Sequence, residues 1–457
     1  MTKRRSFIKK SAFGAAGITI GGLNLNAKSY SAVIGANNRV NVAVIGIRGM
    51  GQNHIASYSK IKDTKVAALC DVDSNLFDER VKKHFTDKGL EKPKLYSDMR
   101  ILYEDKDIDA VSVVTPNHWH SLAAIWAIQA GKHVSVEKPC CHNFYEGRRL
   151  VEAADKYKNI IVQDGAEQRS NPCAKSMAKF LQKGGLGEVY MGKGICYKWR
   201  DTIGKTENSP VPEGVDYDLW LGPAPKRPFS ENRFHYNWHW NWDYGNGDMG
   251  NQGVHEMDIA RWGLGVTLPT KISSIGGHFM FDDDQETPND LISVFEFPNP
   301  RGGGDKKKIL QFEVRHWITN PEIIMGKTQN DNDGYMISAD NTVGNLFFGS
   351  EGYMAKDVKN WITFMGKKRE PGEKGSGLGN HYENFIKAIR SNDQQLANGD
   401  IREGFYSCAL IHLGNISYRL GRSLEFDPEK MEFINDREAN SMLIGHYRPP
   451  FTIPESM

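Results

Sequence analysis

The sequence lacks a long apolar run, a surplus of either charge, and any cysteine spacing that would organise a small domain. With 58 Lys and Arg against 56 Asp and Glu, the formal net charge is only +2. No basic stripe alternates with aromatic residues, so nucleic acid is not an expected partner. The six cysteines (70, 140, 141, 173, 196 and 408) show neither paired zinc spacing nor a disulfide framework. Adjacent Cys140 and Cys141 could pair only under strain, and the six read as free, half-buried thiols. Neither repeats nor sustained low complexity appear. At 457 residues with 39% hydrophobic content, two to three domains with ordinary cores are expected.

What is present begins with a parallel α/β pattern. Val40 to Ile45 reads as a buried strand running into Gly46-Ile47-Arg48-Gly49-Met50-Gly51, with a helix expected from His54. Val66 to Leu69 reads as a second strand ending in Cys70-Asp71, where a carboxylate would meet a ribose hydroxyl pair. Glycines 46 and 51 permit a tight turn and close helix packing, so pyrophosphate could sit on the helix N-terminus. Ala110 to Val114 is a third strand, ending in Thr115-Pro116-Asn117-His118 before an alanine-rich helix; His133 to Val136 is a fourth, delivering Glu137-Lys138-Pro139. Ligands bind at the carboxyl ends of such strands, which makes Lys138 the first candidate for chemistry.

After Val162 the pattern changes. An amphipathic helix is expected around Ala174 to Lys183. Strand-like runs then recur at Val189 to Ile195, Ile272 to Ile275, Leu291 to Phe297, Ile309 to Val314 and Val343 to Phe348. Their turn-bounded succession suits a large, mostly antiparallel sheet. Asn299 to Lys308 reads as an exposed hairpin loop, and Asp331 to Asp340 and Lys367 to Gly379 as polar connectors. The aromatic segment Phe234 to Tyr244 could present Tyr236, Trp238, His239 and Trp240 to sugar rings, or could be a packed loop that touches no ligand. His235, His239 and Asp243 recur every four residues, but the residues between them are poor helix formers, and no metal is assigned. His412, on the apolar face of a helix from Phe405 to Leu420, reads as structural. The fold class is therefore an α/β Rossmann domain at 37–165, then an α+β domain at 166–457 with a helical tail.

Residues 1–36 read as an export segment outside the folded protein. Lys3-Arg4-Arg5-Ser6-Phe7-Ile8-Lys9-Lys10 precedes a weakly apolar, glycine-rich run from Ala12 to Leu25, which resembles a twin-arginine signal and is too short and weak for a membrane span. No cysteine precedes Cys70, which argues against a lipoprotein anchor. A periplasmic enzyme exported folded would have to hold its nucleotide tightly and regenerate it in place.

The order of motifs resembles the Gfo/Idh/MocA oxidoreductases, named for glucose-fructose oxidoreductase and inositol dehydrogenase. The resemblance rests on the glycine turn at 46 to 51, Asp71, the Thr115-Pro116-Asn117-His118 loop with His120, and Glu137-Lys138-Pro139. Asp216 to Pro223 and Gly247-Asp248 through Asp258 are similar to the branch of that family common in Bacteroidetes. It implies NAD held by Gly46, Arg48, Gly49, Gly51, Asp71, Thr115, Pro116, Asn117, His118, His120, Glu137 and Lys138. It implies His255 as general base, Lys138 bonding the same substrate oxygen, Glu137 orienting Lys138, and Asn251 holding the substrate oxygen or the imidazole. The implied substrate side takes in Gln168, Arg169 and Asp258, and the implied assembly is a homodimer or homotetramer. Two positions depart from the family pattern: Arg48 replaces the usual second glycine, and Asn251 stands where many relatives carry an aspartate. Asp71 favours NAD because a carboxylate repels a 2′-phosphate, while Arg48 leaves NADP open. Three functions follow: a dehydrogenase of a sugar or glycoside hydroxyl, a redox-neutral glycoside-cleaving or epimerising enzyme, and a non-catalytic scaffold for sugar and nucleotide.

Overall fold

The strand β1 (Val40–Ile45) is apolar at almost every position because both its faces are covered, the condition of a central parallel strand. It pairs in parallel with β2 (Thr64–Cys70) on one side and β4 (Ala110–Val113) on the other. With β3 (Lys94–Tyr96), β5 (His133–Val136) and β6 (Val162–Asp164) these form a six-stranded parallel sheet of order β3-β2-β1-β4-β5-β6. The crossovers carry α1 (Met50–Tyr58), α2 (Phe77–His84), α3 (Met99–Glu104) and α4 (Asn117–Gln129), and α5 (Phe144–Lys156) lies between β5 and β6. The strand order reverses between β1 and β4, which opens a crevice at their carboxyl ends, where Rossmann sheets take ligands. The computed structural model describes residues 39–299, 306–317, 341–455 and 457. The export segment and the connector at 331–340 lie outside those residues, as does most of the 299–308 loop.

The second sheet has ten strands in the order β14-β13-β12-β11-β7-β10-β9-β8-β15-β16. Its members are β7 (Val189–Lys198), β8 (Lys271–Gly277), β9 (Asp290–Pro298), β10 (Lys307–Arg315), β11 (Asn341–Gly349), β12 (Gly352–Lys356), β13 (Asn360–Met365), β14 (Glu370–Ser376), β15 (Leu424–Asp427) and β16 (Glu432–Phe433). All neighbours are antiparallel where their register is defined, except β7 with β10, which run parallel. In β9 Leu291, Ser293, Phe295 and Phe297 are buried while Ile292 is exposed, the period of two that one covered face imposes. The covered face takes α9 (Gly253–Leu264), which follows α8 (Gly247–Asn251) and packs against α6 (Pro172–Gln182). The short α7 (Tyr217–Leu221), α10 (His381–Ser391) and α12 (Arg437–Ser441) complete the helices among the described residues, together with α11 (Ile401–Leu420). Because α11 is buried nearly all round and packs against both α5 and β8, one hydrophobic core runs through both sheets. No helix among the described residues is long and apolar enough to cross a membrane.

Several expectations need correction. The first helix starts at Met50, not His54, because Gly49 already makes the turn into it. Lys367 to Gly379 is not a plain connector but contains β14, an exposed edge strand whose Pro and Gly residues and lack of alternation hid it. The tail is not wholly helical, since β15 and β16 return to the sheet after α11. The six cysteines are fully buried rather than half-buried.

Candidate functional site

The carboxyl edge of the first sheet and the segment from Phe234 to His255 enclose a cleft of about 440 Å³, within the usual range for small-molecule sites. Gly46 has φ +87°, and a Cβ there would stand 2.5 Å from the Val114 carbonyl oxygen; a Cβ on Gly51 would stand 1.9 Å from the Gly46 oxygen. Only glycine lets β1 turn into α1 this closely. Gly49 faces open space, and the start of α1 has no side-chain cap, so its first N–H groups are available to an anion. Arg48, exposed on the cleft wall, adds a guanidinium. Thr115 Oγ1 is buried without a hydrogen-bond partner at the same edge.

Asp71 closes the cleft at the end of β2. Its Oδ2 accepts from Ile47 N at 2.8 Å and its Oδ1 from Asp73 N at 3.0 Å. Burial raises its pKa to about 6, against the lowering effect of those N–H groups. The two oxygens retain lone pairs for a diol. These residues fit a dinucleotide: small turn, free helix N-terminus, acceptor pair. The carboxylate is the accepting form, so nucleotide affinity is expected to weaken about tenfold as pH falls from 8 to 5 through that titration. Titrating NADH binding at both pH values tests this, and Asp71→Asn should flatten the dependence.

At the reacting edge, Lys138 Nζ donates to the Asn251 carbonyl oxygen at 2.7 Å, linking the end of β5 to the end of α8. His255, the third residue of the following helix, lines the same cleft with no protein partner for its ring among the described residues. Burial first and the Lys138 charge second push its pKa down to about 3, so the imidazole is neutral at working pH. Tyr236, Trp238 and His239 complete this side, with the Trp238 and His239 rings stacked at 3.6 Å between centroids. The segment forms a 3-10 turn (His235–Trp240), not the α-helix that would align His235, His239 and Asp243. Asp243 pairs with Arg227 instead.

Gly46, Arg48, Gly49, Asp71, Thr115, Pro116, Asn117, His120, Glu137, Lys138, Asn251 and His255 all line the cleft. Gly51 lies beneath the turn. His118 does not reach the cleft: its Nε2 donates to the Trp220 carbonyl at 2.9 Å on the opposite side of α4, since consecutive helical residues diverge by about 100°. Glu137 does not touch the Lys138 ammonium. Its Oε1 bonds His54 Nε2 at 2.9 Å and its Oε2 accepts from the Lys138 backbone N at 3.1 Å, so it fixes the main chain. The His54 contact helps hold Glu137 down at about 2 despite burial. The Asn251 side chain bonds Asp248 Oδ1 at 3.0 Å, leaving its carbonyl for Lys138.

Four residues expected on the substrate side are structural. Arg169 grips Asp258 through Nε and Nη2 at 2.7 to 3.0 Å, buried with Ser407 one turn along α9 from His255 and outside the lining of the cleft. Gln168 Oε1 accepts from buried Lys356 at 2.7 Å. Trp240 is 3% exposed and packs against Arg200 and His316. These groups support the helix and loop that carry the site.

The residue that sequence reading undervalued is Asp248. Wholly buried, it accepts from Arg200 Nε (2.8 Å) and Nη2 (2.9 Å), His316 Nε2 (2.6 Å) and Asn251 Nδ2 (3.0 Å). Burial opposes its charge, but Arg200 and His316 outweigh it and hold the carboxyl well below its ordinary value. Arg200 also reaches the Tyr236 hydroxyl at 2.9 Å. One carboxylate thus positions both the residue that holds Lys138 and an aromatic wall. A lone aspartate after Gly247 was the only local signal of charge, because its partners Arg200 and His316 lie 48 and 68 residues away.

Residues 40–164 match the sequence model of an oxidoreductase family's NAD-binding Rossmann fold, and residues 171–275 and 323–453 match the model of that family's C-terminal alpha/beta domain. A glycosyl hydrolase family 109 protein of Shewanella pealeana is 27% identical over 207 residues, 42% of this chain. One from Saccharopolyspora erythraea is 27% identical over 208 residues. The match spans 45% of the length of each of these curated relatives. An oxidoreductase domain protein from Kribbella flavida superposes with a TM-score of 0.62 at 18% identity, covering 85% of this chain and 99% of that one. A levoglucosan dehydrogenase in complex with NADH and levoglucosan gives 0.59 at 18% identity, covering 85% and 99%. The WlbA dehydrogenase of Bordetella pertussis in complex with NADH and UDP-GlcNAcA gives 0.59 at 17%, covering 85% and 98%. At these identities the likeness is one of fold.

Proposed function

The chain belongs to the Gfo/Idh/MocA oxidoreductase family, with an NAD-binding Rossmann domain, and from that premise we propose that it moves hydride between a secondary hydroxyl of a sugar or glycoside and tightly held NAD. The observation that carries this reading is the Lys138 ammonium, pinned by the Asn251 carbonyl at the edge of the dinucleotide cleft beside a neutral His255. Bound nicotinamide supplies the hydride acceptor. One N–H of Lys138 is committed to Asn251, and two remain to bond the substrate oxygen as negative charge builds on it. His255 accepts the hydroxyl proton. Because burial keeps the imidazole neutral, its ring nitrogen is open to that proton. Tyr236 and the Trp238–His239 stack offer flat faces to a sugar ring.

A second reading is supported by the likeness to family 109 glycosyl hydrolases. Transient oxidation of a ring hydroxyl would acidify the neighbouring C–H bond, elimination would expel the aglycone and leave an enone, water would add to it, and return of the hydride to the carbonyl would leave no net oxidation. Export of residues 1–36 through the twin-arginine route, which we also propose, favours such a closed cycle. Product analysis after incubation with methyl and aryl glycosides, no acceptor added, separates the readings. One oxidised sugar per bound NAD supports the dehydrogenase; many turnovers to unoxidised sugar and aglycone support the closed cycle. Unchanged glycosides with NAD still bound would remove both. Ile275, Ile292 and Ile309 share the open face of the large sheet by register and are 75%, 37% and 38% exposed, which supports a homodimer or homotetramer; a monomer in sedimentation would remove that proposal.

A further inference from the structure

Three thiols meet in the core directly behind the reacting edge. Cys140 and Cys141 follow Lys138 and Pro139 out of β5, and Cys408 comes from α11, nearly 270 residues later. Cys140 Sγ stands 3.7 Å from Cys408 Sγ, and the three sulfurs all lie within 4.8 Å of one another. His412, one turn along α11 from Cys408, brings Nε2 to 3.3 Å from Cys141 Sγ. The three cysteines are at most 1% exposed and His412 4%.

Zinc–sulfur bonds of about 2.3 Å at tetrahedral angles set sulfurs about 3.8 Å apart and a nitrogen about 3.5 Å from each sulfur. The Cys140–Cys408 and Cys141–His412 separations already match, the remaining sulfur separations need to close by at most about 1 Å, and the imidazole, outside the 4.8 Å cluster of sulfurs, must move towards Cys140 and Cys408. The N-terminus of α5, capped by Asn143, begins two residues beyond Cys141 and adds a positive end.

An ion also has a way in. His412 lines a second cavity of about 300 Å³, and the wall of that cavity includes the exposed residues Arg419 and Ile444.

We propose that Cys140, Cys141, Cys408 and His412 bind one zinc(II) ion as a closed structural site. The soft donor set excludes magnesium and calcium, and four protein ligands leave no open position for catalysis. Binding releases the three thiol protons and leaves a site of net charge −1. The ion ties the chain just beyond Lys138 to α11, so it steadies the lysine whatever reaction that residue serves. Sequence spacing conceals the set, because two ligands are adjacent and the other two lie at the far end of the chain.

Elemental analysis of untagged, NAD-loaded protein expressed with added zinc tests the site. About one zinc per chain is expected. Protein produced in cobalt medium should show thiolate-to-cobalt charge transfer in the near ultraviolet together with tetrahedral d–d bands. Cys408→Ser and His412→Gln should lose both metals while still binding NADH, whereas Cys173→Ala, a buried thiol elsewhere in the core, should retain them. If Cys408→Ser fails to fold, the wild-type metal count and cobalt spectrum decide alone. Zinc below about one tenth per chain in folded wild-type protein, with the cobalt bands absent, would overturn the proposal.

Discussion

Lys138→Ala is expected to lower turnover at least about 10³-fold, the upper part of the range for a positioned proton or hydrogen-bond donor at a reacting oxygen. Nucleotide should remain bound, because the glycine turn, α1 and Asp71 hold the dinucleotide elsewhere in the cleft. The variant removes the ammonium that bridges the end of β5 to the Asn251 carbonyl, and with it the donor to the substrate oxygen. Lys138→Arg should recover little, since a planar fork cannot keep the Asn251 contact and also reach the same oxygen as a point charge. Single-turnover kinetics on protein whose nucleotide content is measured in parallel gives the answer. A Lys138→Ala enzyme within about tenfold of the parent, fully loaded, would take Lys138 out of the chemistry.

Asp248→Ala carries the largest expected loss of stability, about 3 to 5 kcal/mol, because removing one member of a buried ion pair leaves the other uncompensated. Here the residue left behind is Arg200, whose side chain is 17% exposed, together with His316 Nε2, which loses its carboxylate partner at 2.6 Å. Asn251 loses its anchor as well, so the Lys138 contact should loosen and activity should fall beyond what unfolding explains. Asp248→Asn keeps the shape and some hydrogen bonds and should fall between the two. Chemical denaturation of the three proteins, with NADH held at one saturating concentration, measures the order. An Asp248→Ala protein within about 1 kcal/mol of the parent would show that Asp248 is not the organising charge.

The Rossmann half was legible because its signals are local. β1, β4 and β5 are short apolar runs bounded by turn residues, and the chemistry falls at their ends, so Gly46, Asp71, Thr115 and Lys138 could be placed by counting along the chain. The second half was legible only as a list of strands. β14 shows neither alternation nor a buried face, and the parallel pairing of β7 with β10 joins strands more than a hundred residues apart.

Side-chain direction was the weaker part of the sequence reading. His118 and His120 sit two apart in one motif, yet α4 turns one away from the cleft and the other towards it, with His120 held between the Pro139 and Thr115 carbonyls. Arg169 and Asp258 were expected near the ligand, but they pair with one another in the core and neither lines the cleft. Asn251 shows the opposite case. Its side chain suggested a role at the substrate, while the structure uses its main-chain oxygen, an atom every residue has and no motif can flag. The carboxylate missing at position 251 is supplied from one turn earlier, at Asp248, where it acts on neighbours and not on His255.

The most direct test is to purify the protein without added nucleotide, mix it with a panel of methyl glycosides, and follow the near-ultraviolet absorbance of reduced nicotinamide through the first turnover. The account predicts that NAD copurifies, that at least one glycoside raises the absorbance without added cofactor, and that Lys138→Ala abolishes the rise while still carrying NAD. Protein that carries NAD and shows no absorbance change with any glycoside, in either direction of the reaction, would contradict it.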